Sequence, residues 1–574
     1  MALSKDVSGS IRKYAIKNAM DYGKASAGNV LNKIIFIYPE LKPEMKTLSK
    51  EVAKIVEEVN SLGKEAVESE YSEYSEGFSA ADAEKAKNSS KPKFILEGVS
   101  EGDFVGRASP EPSGYAHIGH VKQALLNYEF SRIYKGKVYL YFDDTNPEKC
   151  RQEYVDAIRN DFLWLGIRFD KEYYASDNVE KMYDYARQLI KSGRACVCQC
   201  DREEMKKNRM SGTECSHRRQ DLGRNLDLFD DMIAGRFEAG QAVVRFNGNI
   251  SSQNTVLRDP VMLRIVNLPH YRQGVRYHVW PLYDFNTPIM DSINGITDII
   301  RSKEYELRDE LTREILGALH LRVPRMHMEA RLNIKGNVVQ KRVIRKLIAD
   351  GFVKRWDDPR LMTIMALRRR GVQPEALKKF VLRFGMSNTN STVSIDMLLA
   401  ENKKIIEPLA KHLFFVKDPV RVKVKGIGME GISLKLRPSG DLMREYSVGD
   451  TFYISGEDAK GLVNGDSIRL KDLMGIDILS NGTEGIIAAK SAVQIKGKIV
   501  QWVSEGNYLE CSVLIPGEIV DGNDNFNPNS LATVHGYVEG YAKGLEEHDI
   551  VQFERFGYCI LDDKKTMQFI LTSG

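Results

Sequence analysis

Apolar residues recur every three or four positions near the start of the chain. Ile11, Tyr14, Ala15, Ala19 and Tyr22 share one helical face, and Gly23 stops it. Leu48, Val52, Ile55, Val56, Val59 and Leu62 repeat the pattern up to Gly63. This spacing predicts a small helical domain over residues 1–65. Ser, Glu and Lys dominate the next stretch, so 66–100 reads as a linker, a weak helix running into a flexible strap. From Asp103 the texture changes. Phe104–Val105 leads into a Pro- and Gly-rich turn, and Val121, Ala124, Leu125 and Tyr128 then mark one helical face. Lys137–Asp144 is rich in β-formers and ends in carboxylates. Strand, loop, helix and strand make a βαβ unit, hence a parallel sheet whose sites lie at the carboxyl ends of its strands. Residues 345–410 read as helical and basic. From about 415 the period falls to two, as in Val420–Lys425, and Gly recurs to the end. Short strands with turn signals predict all-β barrels.

Composition bounds the function. A chain of 574 residues holds about three or four domains. With 42% hydrophobic and 28% charged residues, disorder over most of the chain is excluded. No apolar run reaches the roughly 18 residues a membrane span needs. The N-terminus has no charged-then-apolar leader, and a cytoplasmic location is expected. Lys and Arg total 83 against 79 Asp and Glu, a near balance that neither demands nor excludes nucleic acid. Seven cysteines, four of them between Cys196 and Cys215, argue for metal or packing and against disulfides.

The chemistry concentrates in Pro112–His120. Pro and Gly bend the backbone ahead of a helix whose free N–H groups and dipole favour an anion. His117 and His120 share its first turn, and Gly119 between them leaves room for a flat ring. A nucleoside triphosphate meets these requirements, and so do two satisfied structural histidines. Asn337–Arg342 is a short basic loop before a helix, and a lysine there suits charge building on a transferred phosphate. Cys198-x-Cys200, fourteen residues and Cys215-x-His217 supply three sulfurs and an imidazole. They suit tetrahedral zinc, with buried reduced thiols as the other reading.

His117-Ile-Gly-His120 matches the H-I-G-H signature of class I aminoacyl-tRNA synthetases letter for letter, and Val338–Arg342 resembles a degenerate K-M-S-K-S loop. The flanks Arg107–Gly114, Phe142–Lys149 and Trp356–Arg360 resemble the glutamyl-/glutaminyl-tRNA synthetase group of archaeal and eukaryotic type. The resemblance extends from the N-terminal helices to Ile550–Gly557. It implies a multidomain α/β plus all-β chain. A Rossmann-like catalytic domain would occupy 101–195 and 271–340, around an acceptor-binding insertion at 196–270 that can hold the zinc. A helical linker bundle would follow at 341–410 and anticodon-binding β-barrels at 411–574.

The resemblance also implies roles. His117 and His120 bind phosphate oxygens of ATP, with Gly119 under the adenine. Lys341 holds the leaving pyrophosphate, Arg342 serves if the loop shifts, and Mg²⁺ accompanies the ATP. Arg107 pairs with a substrate carboxylate beside Ser109, Asp143 holds the α-ammonium, and Tyr283 lines the amino-acid pocket. Arg301 stands where the glutamate enzymes carry arginine and the glutamine enzymes typically cysteine. A γ-carboxylate wants a guanidinium and a neutral amide does not, so L-glutamate is the expected substrate. The expected RNA is tRNA(Glu), with tRNA(Gln) left open. Arg368, Arg369 and Arg370 are expected near its phosphates, and Trp502, Tyr508 and Phe526 are candidates for stacking on anticodon bases. The N-terminal helices either dock a protein partner or pack on the body. Gln340 in the serine place of the loop, with Val343, keeps a catalytically weakened RNA-binding homologue as the alternative.

Overall fold

A computed structural model of the protein describes residues 5–22, 24–75, 95–387, 389–437, 440–481, 486–492, 497–521 and 525–574. The chain divides into two compact units, Met1–Lys91 and Pro92–Gly574. The first contains α1 (Lys5–Tyr22), α2 (Ala27–Ile37), α3 (Met45–Asn60) and α4 (Lys64–Ser75). The predicted apolar faces meet: Ile11, Ala15 and Ala19 pack with Val52, Val56 and Val59. The helical unit runs past the boundary expected at 65, because α4 buries Val67 in this core and Glu70 takes both ends of the Arg12 guanidinium at 3.0 and 2.6 Å. The rest of the expected strap, 76–94, lies outside the described residues.

The second unit opens with β1 (Val105–Ala108), α5 (Ile118–Ile133), β2 (Lys137–Phe142), α6 (Gln152–Trp164), β3 (Lys171–Tyr174) and α7 (Val179–Lys191). These strands form a parallel sheet in the order β1-β2-β3. An antiparallel sheet then interrupts it: β4 (Ala195–Cys198), α8 (Arg202–Ser211), α9 (Leu222–Ile233), β5 (Val243–Phe246), β6 (Val261–Ile265) and β7 (Val279–Pro281). The interruption reaches Pro281, past the 270 expected from sequence. The parallel part resumes with α10 (Tyr283–Ile293), β8 (Asp298–Ser302), α11 (Arg308–Ala318) and β9 (Arg325–Glu329). The N–H of Thr297 donates to Val105 O at 2.9 Å, so β8 lies on the free side of β1 and the strands run β3-β2-β1-β8-β9. Their carboxyl ends point the same way, toward the start of α5 and of α12 (Lys341–Ala349).

Two seven-stranded sheets complete the chain. In one, the end strands are Lys411–Leu413 and Phe415–Lys417, parted only by Phe414; in the other they are Lys498–Val500 and Trp502–Ser504, parted only by Gln501. One broken strand thus supplies both edges of each sheet, which is how a barrel disposes of its edges. Period-two alternation divides the first break between the barrels. Leu413 and Phe415 enter one core, and Phe414 enters the other beside Trp502.

Candidate active site

The carboxyl ends of β1, β2, β8 and β9 surround a cavity of about 630 Å³. Arg107, Ser109, His117, Gly119, His120, Asp143, Tyr283, Arg301 and Lys341, drawn from positions 107 to 341, all line it. Arg342 is not among the lining residues.

His117 is the N-cap of α5. Its Nδ1 accepts the Gly119 N–H at 3.1 Å, and His120 Nδ1 accepts the His117 N–H at 3.2 Å. The Ile118 N–H donates to Met362 O at 3.2 Å, and the His120 N–H to His117 O at 2.9 Å. The free helix N–H groups expected for an anion are therefore already used, which corrects that expectation. Because each Nδ1 accepts, each neutral ring carries its proton on Nε2. Burial pushes His117 down to about 3, helped by Lys341 and Arg331. Burial also holds His120 well below the ordinary range, with His117 and Lys341 adding to it. The pair consists of two neutral N–H donors at physiological pH. Gly119 lines the cavity and also makes room for a neighbour. A Cβ there would lie 2.9 Å from His117 Cε1, so the space the glycine leaves is taken by the histidine ring.

Lys341 opens α12 and reaches back to the Pro/Gly turn, donating from Nζ to Glu111 O at 2.7 Å, with Ser113 Oγ at 3.5 Å. Gly114 admits it, since a Cβ there would sit 3.2 Å from Lys341 Cδ. Burial lowers the Lys341 ammonium to about 8 against the opposing pull of Glu111. Val338 and Val343 turn away into an apolar cluster with Ile344, Leu347, Ile519 and Val520. Val338, in the place of the first lysine of the pattern, thus anchors the loop, whereas Gln340 lines the cavity.

The other end of the cavity is arginine-rich. Arg107, 1% exposed, donates from Nε and Nη2 to the two carboxylate oxygens of Asp291 on α10, each at 3.0 Å. Its Nη1 is buried without a partner. Arg301, at the end of β8, pairs through Nη2 with Asp309, and its Nε is likewise unpartnered. Tyr283 is the first residue of α10. Asp143 faces Asn286 Nδ2 at 3.3 Å and the Thr145 and Thr287 hydroxyls at 3.4 and 3.5 Å. Burial, then Glu111 and Asp144, push it up to about 7. The next residue does different work. Asp144 accepts the Ser176 N–H and hydroxyl at 2.8 and 2.7 Å and the Tyr271 hydroxyl at 2.8 Å, latching β2 to the elements behind it. Glu111, Asp291, Asp309 and Arg264 also belong to this site, and sequence reasoning missed them. Asp291 stands 184 residues from Arg107, and Asp309, though only eight from Arg301, lies in no spacing that marks an ion pair.

Residues 104–408 match the family model for the catalytic domain of tRNA synthetases class I (E and Q), and 410–493 and 499–562 match its two anti-codon binding domains. The chain belongs to this family. A glutamate–tRNA ligase of Nitrosopumilus maritimus is 38% identical over 99% of this chain and 100% of its own. One from Korarchaeum cryptofilum is 35% identical over the same shares. A solved glutamate-tRNA synthetase from Elizabethkingia anophelis aligns over 53% of this chain and 70% of its own, at 19% identity and a TM-score of 0.40.

Outside the cavity, this class I synthetase gathers Cys198, Cys200, Cys215 and His217 into one cluster, all ligand atoms within 4.8 Å of one another. Cys198 Sγ lies 3.9 Å from Cys215 Sγ and from His217 Nδ1, and Cys200 Sγ lies 3.5 Å from His217 Nδ1. A zinc tetrahedron with Zn–S of about 2.3 Å has edges of roughly 3.7 Å, so the donor set fits. Arg245 Nη1 stands 3.7 and 3.6 Å from Cys198 and Cys215 Sγ, a cation beside the thiols.

The arginine run behaves differently from its expected RNA-facing role. Arg369 clamps both oxygens of Asp562 at 2.7 and 2.8 Å, and Arg370 is buried. Arg368 is exposed, over the Trp164 ring at 5.2 Å, and Arg369 is half-buried. Trp502 (0% exposed) is barrel core and is not presented to a base, while Phe526 is half-buried and stacks on the exposed Phe352 at 4.3 Å. Tyr508 joins Tyr537 (4.1 Å) and Tyr453 (5.2 Å) in a half-exposed aromatic group.

Proposed function

We infer that this chain is a glutamate–tRNA ligase. It activates L-glutamate with ATP and esterifies the 3′ end of tRNA(Glu). The observation that carries this reading is the meeting of His117, His120 and Lys341 with Arg107, Asp143, Tyr283 and Arg301 in one cavity, in a chain of the E and Q family. Full-length relatives bearing that activity in their names support it.

The α-carboxylate of glutamate attacks the α-phosphorus of ATP, and pyrophosphate leaves with the electron pair of the broken P–O bond. His117 and His120 donate Nε2–H to phosphate oxygens as charge gathers there. They need no proton transfer, since the rings enter and leave neutral. Lys341 leaves the Glu111 carbonyl to hold the departing pyrophosphate. Mg²⁺ would accompany the ATP and offset its phosphate charge. Arg107 Nη1 and Arg301 Nε offer unspent donors to the γ-carboxylate, and Tyr283 closes that pocket. Asp143, once ionised, accepts the α-ammonium. In the second step a hydroxyl of the terminal ribose attacks the glutamyl carbonyl and AMP departs.

The Cys/His cluster supports zinc as a structural tie in the 195–281 insertion, with all four ligands from protein and no open position for catalysis. We place the RNA acceptor end against this insertion and the anticodon on the C-terminal barrels. The first unit offers a surface for a protein partner, and a cytoplasmic location agrees with there being no helix long and apolar enough to cross a membrane among the described residues. Charging of total tRNA with labelled glutamate against glutamine, in wild type and Arg301→Cys, is the test. Glutamate attachment that collapses in the variant supports the reading, and a separate assay with tRNA(Gln) transcript decides that substrate. RNA binding without attachment of either amino acid would establish the weakened homologue instead.

A further inference from the structure

Four arginines line the cavity, and three are already neutralised. Arg107 faces Asp291, Arg301 faces Asp309, and Arg331 Nη1 lies 2.7 Å from Glu304. Arg264 is different. Among the described residues its guanidinium has no hydrogen bond and no carboxylate, and its Nε is buried without a partner. An unpaired cation in a half-buried site is a standing cost to the free protein, of the kind kept where a ligand brings the missing anion.

The position of Arg264 narrows the ligand. It lies on β6, inside the inserted antiparallel sheet, opposite Val243 of β5 and Trp280 of β7. It is the one lining residue supplied by the strands of that sheet, all the others coming from the parallel domain or the loops around it. The anions entering the cavity can be apportioned. ATP phosphates have His117, His120 and Lys341, and the carboxylates of glutamate have Arg107 and Arg301. On the placement proposed above, the substrate that arrives from the side of the insertion is the RNA end, and its last charged group before the reacting ribose is a phosphodiester.

We propose that Arg264 binds the phosphodiester preceding the 3′-terminal nucleotide of the RNA and so seats the terminal ribose beside the glutamyl adenylate. This rests on the glutamate–tRNA ligase reading. A guanidinium suits the task because its planar fork meets two phosphate oxygens at once and holds a direction as well as a charge. The contact carries no base information, as expected of a residue that positions an end common to many RNAs.

The experiment is a cycle of two proteins and two RNAs, measured as dissociation constants and as charging kinetics. The RNAs are a full-length tRNA(Glu) transcript and one lacking its 3′-terminal nucleotide together with that phosphate. Arg264→Gln should weaken binding of the full-length transcript about tenfold and leave binding of the shortened one unchanged. KM for RNA should rise while KM for glutamate and for ATP stay put, and Arg264→Lys should recover most of the binding. The melting temperature should not fall, because the glutamine removes an uncompensated charge. Equal losses on both transcripts, a rise confined to the KM for glutamate, a fall in melting temperature, or no change at all would each overturn the proposal. Wild-type protein that binds RNA but charges neither amino acid would refute the ligase reading instead, a separate outcome from the binding cycle.

Discussion

Asp143 and Lys341 carry opposite charges in the cavity, and burial moves them toward each other on the pH scale. Asp143 sits at about 7, so it loses the charge that attracts an ammonium as pH falls through that value. Lys341 sits at about 8, so it loses the charge that holds pyrophosphate as pH rises through that value. The dependence of kcat/KM on pH should be a bell with limbs near these two values. Asp143→Asn should abolish the acid limb, and Lys341→Arg should push the alkaline limb upward, both read from charging rates between pH 5 and 10. The histidines should leave no limb in this window, being neutral throughout it. Arg107 depends on Asp291 in another way. Asp291→Ala strands a buried guanidinium, at a cost of about 3–5 kcal/mol in equilibrium unfolding, and the loosened Arg107 should also raise KM for glutamate. The histidines, Lys341 and Arg301 were legible in the sequence because motifs mark them. Asp291, Asp309 and Arg264 were not, because a counter-ion or its absence belongs to packing and leaves no local spacing to read.

Among the elements, the amphipathic helices and the β1–α5–β2 unit follow directly from period and turn chemistry. Hydrogen-bond bookkeeping was harder to foresee. A glycine between two histidines suggested an open helix end, whereas the His117 ring folds back and uses the N–H itself. The Arg368–Arg370 run read as a basic face because charge density is visible in sequence and the partners Asp161 and Asp562 are not. The Cys/His cluster was legible because ligand spacing survives folding, and it yields a direct prediction. Protein purified without chelator should hold close to one zinc per chain, and Cys215→Ser should lose it. Arg245→Met should lower metal retention through the lost positive charge beside the thiolates, read as faster chelator-driven release. The turn before Lys341 is equally exacting. Gly336 has a φ of +66°, and a Cβ there would lie 2.4 Å from Glu518 Cγ. Gly336→Ala should cut charging by tenfold or more while RNA binding changes little, since about 1–3 kcal/mol of backbone strain falls on the lysine loop.

At the scale of the whole molecule, the two compact units make different demands. The lining residues of the cavity, from Arg107 to Lys341, all belong to the second unit, so deletion of 1–91 should leave kcat within about twofold and act, if at all, through partner binding, measured by charging and by pull-down from lysate. The C-terminal sheets are another matter. Their loop 517–530 is joined to the catalytic half at several points: Val520 N–H to Gly336 O at 3.1 Å, Phe526 against Phe352, and Ser530 Oγ on Arg360 at 3.0 Å. Ile519 and Val520 share one apolar cluster with Val338 and Ile344, on either side of Lys341. The family matches divide the chain into a catalytic part and two reading parts, as if they were interchangeable cassettes. The shared cluster says otherwise. Anyone recombining a foreign reading half with this catalytic half would have to carry residues 517–530 across with their host, or the donor half would arrive without the wedge on which the lysine loop rests. Arg369 on Asp562 and the Thr572 hydroxyl on Arg370 O add a second set of ties, so a recombined chain would have to match its halves there as well.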